Sequence, residues 1–333
     1  MSKIRIGVLC PSEIAFRRFM PALKQLEKFE YIGLAAATER EFSGADSDKV
    51  RPSELAKAEA FISAHGGKIF EGYEALICSN EVDAIYLPLP PALHYKWGKK
   101  VLENDKHLLM EKPFTTSLAE TQELLSLAEK KGLAVHENYM FLYHSQLKKV
   151  KELIANGTLG GLRLIRAAFG FPMRGKDDFR YQKAMGGGAL LDCGGYPVRL
   201  ALELLGETAK VTQSRLIQPK GYEVDLYGNA VLENKNGLCA QISFGMDNAY
   251  QCQLEVWGSR ATLIAPRVFT AGADVVPKLI LKSSNGEDVL ELPKDDQFLH
   301  SIEAFYQMVR ETKQGHLIQQ QAEMIEKIRV RGG

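Results

Sequence analysis

The stretch 107–137, HLLMEKPFTTSLAETQELLSLAEKKGLAVHE, decides the fold, because it carries a strand, a helix and a second strand in one run. His107 to Met110 is a short apolar segment of the kind buried on both faces of a sheet, and Pro113, which has no backbone donor, ends it. Ser117-Leu-Ala-Glu120 is a capping box: the serine hydroxyl accepts an N–H that the first helical turn leaves unpaired, while Glu120 reaches back. Leu118, Thr121, Leu124, Leu125 and Ala128 recur at helical spacing and make one buried stripe, and Gly132 fits the stop of that helix. Residues 133–137 follow as a strand. Two strands joined through a helix in this way run parallel, with a right-handed crossover.

The same alternation extends towards the N-terminus. Residues 4–9 read as a β-branched strand and 31–37 as another. Between them, Ile14, Phe16, Phe19, Leu23 and Leu26 predict an amphipathic helix over 14–26. A long polar loop leads into a helix with Leu55, Ala58 and Phe61 on one face. Ala84–Leu87, in DAIYLPLPP, is an apolar strand ended by Pro88, Pro90 and Pro91, and 94–102 reads as a helix. The pattern predicts an α/β fold whose first domain, 1–137, is a Rossmann-type parallel sheet for a dinucleotide. After residue 138 the pattern changes. A helix over 146–155 and a strand over 162–171 precede strand-like runs at 211–217, 226–232, 238–244, 251–257, 261–264 and 278–282, with turns at Asn234-Lys-Asn-Gly237 and Ser284-Asn-Gly286. A second domain over 138–333, α+β with a large, mostly antiparallel open sheet, is expected.

The chain has 333 residues, too many for one ordinary core and enough for two. With 45% apolar and 25% charged residues and a net charge of +1, it has the composition of a soluble globular protein and no electrostatic reason to seek nucleic acid or a membrane. The opening MSKIRIGVLC enters a strand without the pattern of a secretory signal, so a cytoplasmic protein is expected. Five scattered cysteines, with no C-x-x-C pair and no histidine at ligand spacing, argue against a disulfide framework or a structural metal. Cys193 beside Asp192 has the look of a nucleophile, but a lone cysteine is more often a small buried apolar residue.

Chemistry concentrates in Glu111-Lys112-Pro113 and in GGGALLDCGGYP, 186–197. Lys112 follows a strand end, where open α/β sheets place ligands. Asp192 and Tyr196 are four apart and share a helix face. Tyrosine is a poor acid at neutral pH unless a nearby cation favours its anion, and Lys112 could serve as that cation. The plainer reading makes Lys112 a solvated charge, Tyr196 a half-buried aromatic and Asp192 a cap. Gly186-Gly-Gly188 frees the backbone for close approach, and Pro197 is expected to bend or strain its helix. A dinucleotide turn reads G-x-G-x-x-G/A, whereas GVLCPSEIA sets Cys10, Ser12 and Ala15 against its small positions, so only Ala15 matches outright. A helix opening near Glu13 still aims free amides at a pyrophosphate. Past the second strand, Thr38 and Arg40 suit a 2′-phosphate while Glu39 suits a ribose hydroxyl, which favours NADP with NAD as the alternative.

Together these stretches resemble the glucose-fructose oxidoreductase, inositol dehydrogenase and MocA family of NAD(P)-dependent oxidoreductases. The likeness runs through IRIGVLCPSEIA, DAIYLPLPPALH, NDKHLLMEKPFTTS, ENYMF, NGTLGGLRLIRAAFG, GGGALLDCGGYPV and LEVWGSRATL. In that family the lysine of Glu-Lys-Pro meets nicotinamide and substrate, which places the role on Lys112. Many members carry histidine where Tyr196 stands, and those with tyrosine use it as proton donor or acceptor. Of these, the ketoreductases of nucleotide-linked deoxysugars look closest. The resemblance implies cofactor contacts from Cys10, Pro11, Ser12, Glu13, Ile14, Thr38, Arg40, Leu87, Pro88, His94, Glu111, Lys112 and Asn138. It implies substrate contacts from Phe171, Arg180, Asp192 and Tyr196, with Lys112, Asp192 and Tyr196 as the catalytic set, no metal, and a homodimer or homotetramer formed through the outer face of the second sheet. A dehydrogenase of a free sugar, polyol or dihydrodiol, and a non-catalytic cofactor-binding regulator, share these features. Bulk at Cys10 is the main departure from the family pattern.

Overall fold

A computed structural model describes residues 3–39, 41, 47–313 and 315–332. Arg40 lies outside the described residues. The chain divides into two compact units. The first comprises Met1–Thr115, Ala119–Asn138 and Phe298–His316, and the second Thr116–Leu118, Tyr139–Gln297 and Leu317–Gly333. The return of 298–316 to the first unit differs from the expected division at 137/138: a C-terminal segment completes the N-terminal core, with Phe305 stacked 6.4 Å from Phe29.

The first unit holds a parallel sheet of β1 (Ile4–Val8), β2 (Phe29–Ala36), β3 (Lys68–Glu71), β4 (Ala84–Leu87), β5 (His107–Met110) and β6 (Val135–Glu137), in the order β3-β2-β1-β4-β5-β6. This order reverses direction between β1 and β4, the switch point at which doubly wound sheets take ligands. All four residues of β4 are buried, as expected for a strand covered on both faces. β3 and the short helix Tyr73–Ile77 were not legible in the sequence, because each is too short to show a period. The first helix also differs from a regular one: it opens as a π-turn over Ala15–Phe19 before Met20–Leu23, and stacks Phe19 on Tyr86 at 3.8 Å.

The second unit is built on β7 (Leu162–Gly170), β8 (Lys210–Ile217), β9 (Tyr227–Glu233), β10 (Cys239–Gly245), β11 (Gln251–Gly258), β12 (Ala261–Ala265), β13 (Lys278–Ser283) and β14 (Gly286–Glu291), in the order β14-β13-β12-β11-β7-β10-β9-β8. Every pairing is antiparallel except β7 with β10, because β7 enters from an earlier part of the chain and takes a central place. Burial alternates along β9 and β10, so one face is covered, and the helices Gly195–Leu205 and Ile318–Gly332 pack on this sheet. Tyr227 and Trp257, in register with Gly245 and Leu164, remain exposed on the other face.

Candidate active site

The expected cofactor residues of the first unit cluster at the C-terminal ends of its strands. After Val8 the chain turns through Cys10 and Pro11, and Ser12 Oγ accepts the Ala15 amide at 3.2 Å, an N-cap that needs no glycine. The amides of Glu13 and Ile14 fall in the first helical turn, where no intrahelical acceptor reaches them, so the turn fits a pyrophosphate. Cys10 is buried, its thiol donates to Pro88 O at 3.6 Å, and burial pushes its pKa up to about 12. The thiol stays protonated and occupies the glycine position as a small apolar group.

Past β2, a residue absent from the sequence expectations takes charge. One oxygen of Glu41 accepts the Thr38 amide at 2.7 Å and the Thr38 hydroxyl at 3.2 Å, while the other accepts the amides of Tyr73 and, at 3.3 Å, Glu74. Thr38 therefore gives both of its donors to Glu41, and a 2′-phosphate role for it requires Glu41 to turn away. The Glu41 carboxylate sits at the N-terminus of the helix Tyr73–Ile77 rather than facing a ribose.

His94 is wholly buried, with Nδ1 2.7 Å from Pro113 O and Nε2 2.7 Å from Leu89 O. Two carbonyls favour the doubly protonated ring, whereas burial, the larger effect, brings its pKa down to about 4. The enclosed ring thus bridges the Lys112–Pro113 turn and the end of β4. Asn138, 1% exposed, is a buried link: its Nδ2 donates to Glu111 Oε1 at 2.7 Å. Tyr86 Oη donates to the same oxygen at 2.7 Å. Burial raises the Glu111 pKa against those two hydrogen bonds and the charge of Lys112. Leu87 and Pro88 are buried at the end of β4, and Lys112, partly exposed, follows directly on β5 and Glu111.

In the second unit Tyr196 is 6% exposed and stands in an aromatic cage. Ring centroids of Phe169, Tyr139, Phe141 and Phe269 lie 4.9, 5.2, 5.8 and 5.8 Å away. Phe171 joins through Phe169 at 6.1 Å. The cage fixes the ring and leaves the hydroxyl as the polar end. Asp192, four residues earlier, accepts Arg180 Nε at 2.8 Å, and Arg180 Nη1 also reaches Asp178 Oδ1 at 3.1 Å. Burial works against the guanidinium charge, but Asp192 and Asp178 outweigh it and raise its pKa. Arg180 is thus tied to two carboxylates.

The glycine triplet has a packing reason. A Cβ on Gly187 would lie 2.4 Å from Arg180 O, and one on Gly188 2.6 Å from Asp225 Oδ1, while the Gly188 amide donates to Arg180 O at 2.9 Å. The glycines press the Arg180 loop onto the helix start, which Asp225 caps through the Leu190 amide at 2.7 Å. Asp225, 35 residues from its partner, had no local signal; Asp178 could have been read from its place two residues before Arg180 as an N-cap. Ahead of Pro197, which lacks an N–H, the helix is widened into a π-turn over Leu190–Gly194. Gly195 brings Tyr139 close: a Cβ there would lie 2.0 Å from Tyr139 Oη. Gly195→Ala is expected to cost about 1–3 kcal/mol by overpacking, read as a lowered melting temperature. Among the described residues, no group of three or more His, Cys, Asp and Glu side chains could hold a metal. No helix among them is long and apolar enough to cross a membrane.

A parallel sheet with this strand order, the lysine at a strand end and the caged tyrosine define a two-unit, dinucleotide-dependent oxidoreductase. The chain belongs to the Gfo/Idh/MocA oxidoreductase family: its NAD-binding Rossmann fold matches over residues 29–139 and its C-terminal domain over 147–264. A dTDP-3,4-didehydro-2,6-dideoxy-alpha-D-glucose 3-reductase from Actinomadura kijaniata is 37% identical over 92% of this chain and 87% of its own length. The enzyme of the same name from Streptomyces violaceoruber is 38% identical over 94% and 87%. A crystal structure of a 3-ketoreductase from Actinomadura kijaniata in complex with NADP and TDP-benzene superposes with a TM-score of 0.90 at 34% identity, covering 99% of this chain and 98% of that one.

Proposed function

We propose that the protein uses NADPH to reduce the 3-keto group of a thymidine diphosphate-linked deoxysugar. The observation that carries this reading is the full-length likeness to 3-reductases of such sugars, 37% over 92% of the chain. Bound NADPH supplies the hydride. Tyr196, its ring fixed by the aromatic cage, gives its phenolic proton to the carbonyl oxygen as charge develops there. The Lys112 ammonium stabilises that oxygen and the tyrosinate left behind. Asp192, held by Arg180, orients a sugar hydroxyl, and Phe171 lines the sugar's path. The amides of Glu13 and Ile14 hold the pyrophosphate over the turn formed by Cys10, Pro11 and Ser12, with Leu87 and Pro88 beside the nicotinamide ribose.

The NADP bound to the similar 3-ketoreductase from Actinomadura kijaniata supports NADP over NAD. Fluorescence titration is expected to give NADPH about tenfold tighter binding than NADH, a difference of about 1.4 kcal/mol. The exposed Tyr227 and Trp257 support a homodimer or homotetramer through the outer sheet face, and a cytoplasmic location belongs to the same proposal. The test is a turnover panel. NADPH oxidation with dTDP-linked keto sugars is expected. Reduction of NADP+ by free sugars, polyols or dihydrodiols, without activity on nucleotide sugars, would replace this reading with the oxidising one. Cofactor binding without turnover of any substrate would point to a regulator.

A further inference from the structure

Next to Lys112 a chain of buried side chains leads away from the strand ends, and its hydrogens can be placed by chemistry alone. Asn138 Nδ2 can only donate, so Glu111 Oε1 accepts from it and from Tyr86 Oη, both at 2.7 Å. Asn138 Oδ1 can only accept, so the Ser301 hydroxyl donates to it at 2.7 Å. Ser301 Oγ then accepts from His136 Nε2–H at 2.8 Å, which fixes the histidine tautomer. His136, Asn138 and Ser301 are 1%, 1% and 0% exposed. Every donor points towards Glu111, and two donors on one oxygen suit an ionised carboxylate.

Such an arrangement is costly. Removing a carboxylate from water costs several kcal/mol, and an apolar side chain would fill the same space without that penalty. Backbone pairing holds β4, β5 and β6 together without it. The C-terminal segment Phe298–His316 returns to this unit and places Ser301 at the middle of the chain of hydrogen bonds. A half-buried carboxylate, oriented by four side chains and next in sequence to the reactive lysine, has a use at the strand ends.

We propose that Glu111, oriented by Tyr86, Asn138, Ser301 and His136, is a positioning residue that holds the Lys112 ammonium for the reduction. This role rests on the reduction chemistry proposed above. Glu111 acts through its fixed charge, and Ser301 and His136 act by ordering Asn138.

Glu111→Gln keeps the size of the side chain and an acceptor for Tyr86 and Asn138 while removing the charge, and Ser301→Ala removes the hydroxyl between Asn138 and His136. On a keto sugar that the wild type reduces, Glu111→Gln is expected to lower kcat roughly 10- to 100-fold and Ser301→Ala about 3- to 10-fold. The NADPH dissociation constant should stay within about twofold in both, the KM-against-kcat split that separates positioning from cofactor binding. Unchanged kcat in folded variants would overturn the role, as would a loss of NADPH affinity that matches the loss in kcat/KM. If Glu111→Gln does not fold, Ser301→Ala decides: a lower melting temperature at wild-type kcat would make the chain of bonds a device of the fold only. A wild type with no turnover on any keto sugar would overturn the reduction reading and this role with it, whereas variants equal to an active wild type would overturn the role alone.

Discussion

Replacing Tyr196 by phenylalanine is expected to lower kcat for sugar reduction roughly 10²- to 10⁴-fold, the range for losing a positioned general acid. The cage makes this substitution unusually clean. Four aromatic rings within 4.9 to 5.8 Å contact the body of the side chain, and phenylalanine presents the same ring to them. Melting temperature and NADPH affinity should therefore hold, so that lost turnover reports the hydroxyl alone. A variant as active as the wild type would remove Tyr196 from the chemistry.

Lys112→Ala is expected to lower kcat roughly 10²- to 10³-fold, the range for removing one donor from a developing oxyanion. Lys112 directly follows Glu111 at the end of β5, and the His94 ring lies 2.7 Å from the carbonyl of the next residue, Pro113. Because the backbone turn is held independently of the lysine side chain, truncation should leave the fold intact. Lys112→Arg keeps the charge but spreads it over a planar group and is expected to recover only part of the loss. If alanine merely weakened NADPH binding at unchanged kcat, the lysine would belong to cofactor recognition.

How far the sequence was legible follows from the range of each signal. The run 107–137 was readable because its cap, apolar stripe and stop lie within one helix, and the structure places strands at His107–Met110 and Val135–Glu137. β3 and Tyr73–Ile77 escaped because four or five residues cannot display a period. Pro197 signals a bend or strain in its helix, but the sequence does not show that the turn before it, Leu190–Gly194, is the one that widens. The candidate site divides in the same way. Lys112, Asp192 and Tyr196 were visible as motif residues, but their surroundings were not. The partners of Glu111, including Ser301 beyond Asn138, come from distant parts of the chain, as does Asp225 opposite Gly188, and nothing local marks either. Nothing local marks the Arg180–Asp192 pair either, because the two lie twelve residues apart in the chain.

The central claim, hydride delivery to a ketone of a nucleotide-linked sugar, is tested most directly by following the hydride. With NADPH carrying deuterium at C4 of the nicotinamide and a dTDP-linked 3-keto deoxysugar as substrate, NMR of the product should place the deuterium on C3 of the sugar. A product without deuterium at C3, or labelled at another carbon, would contradict the account.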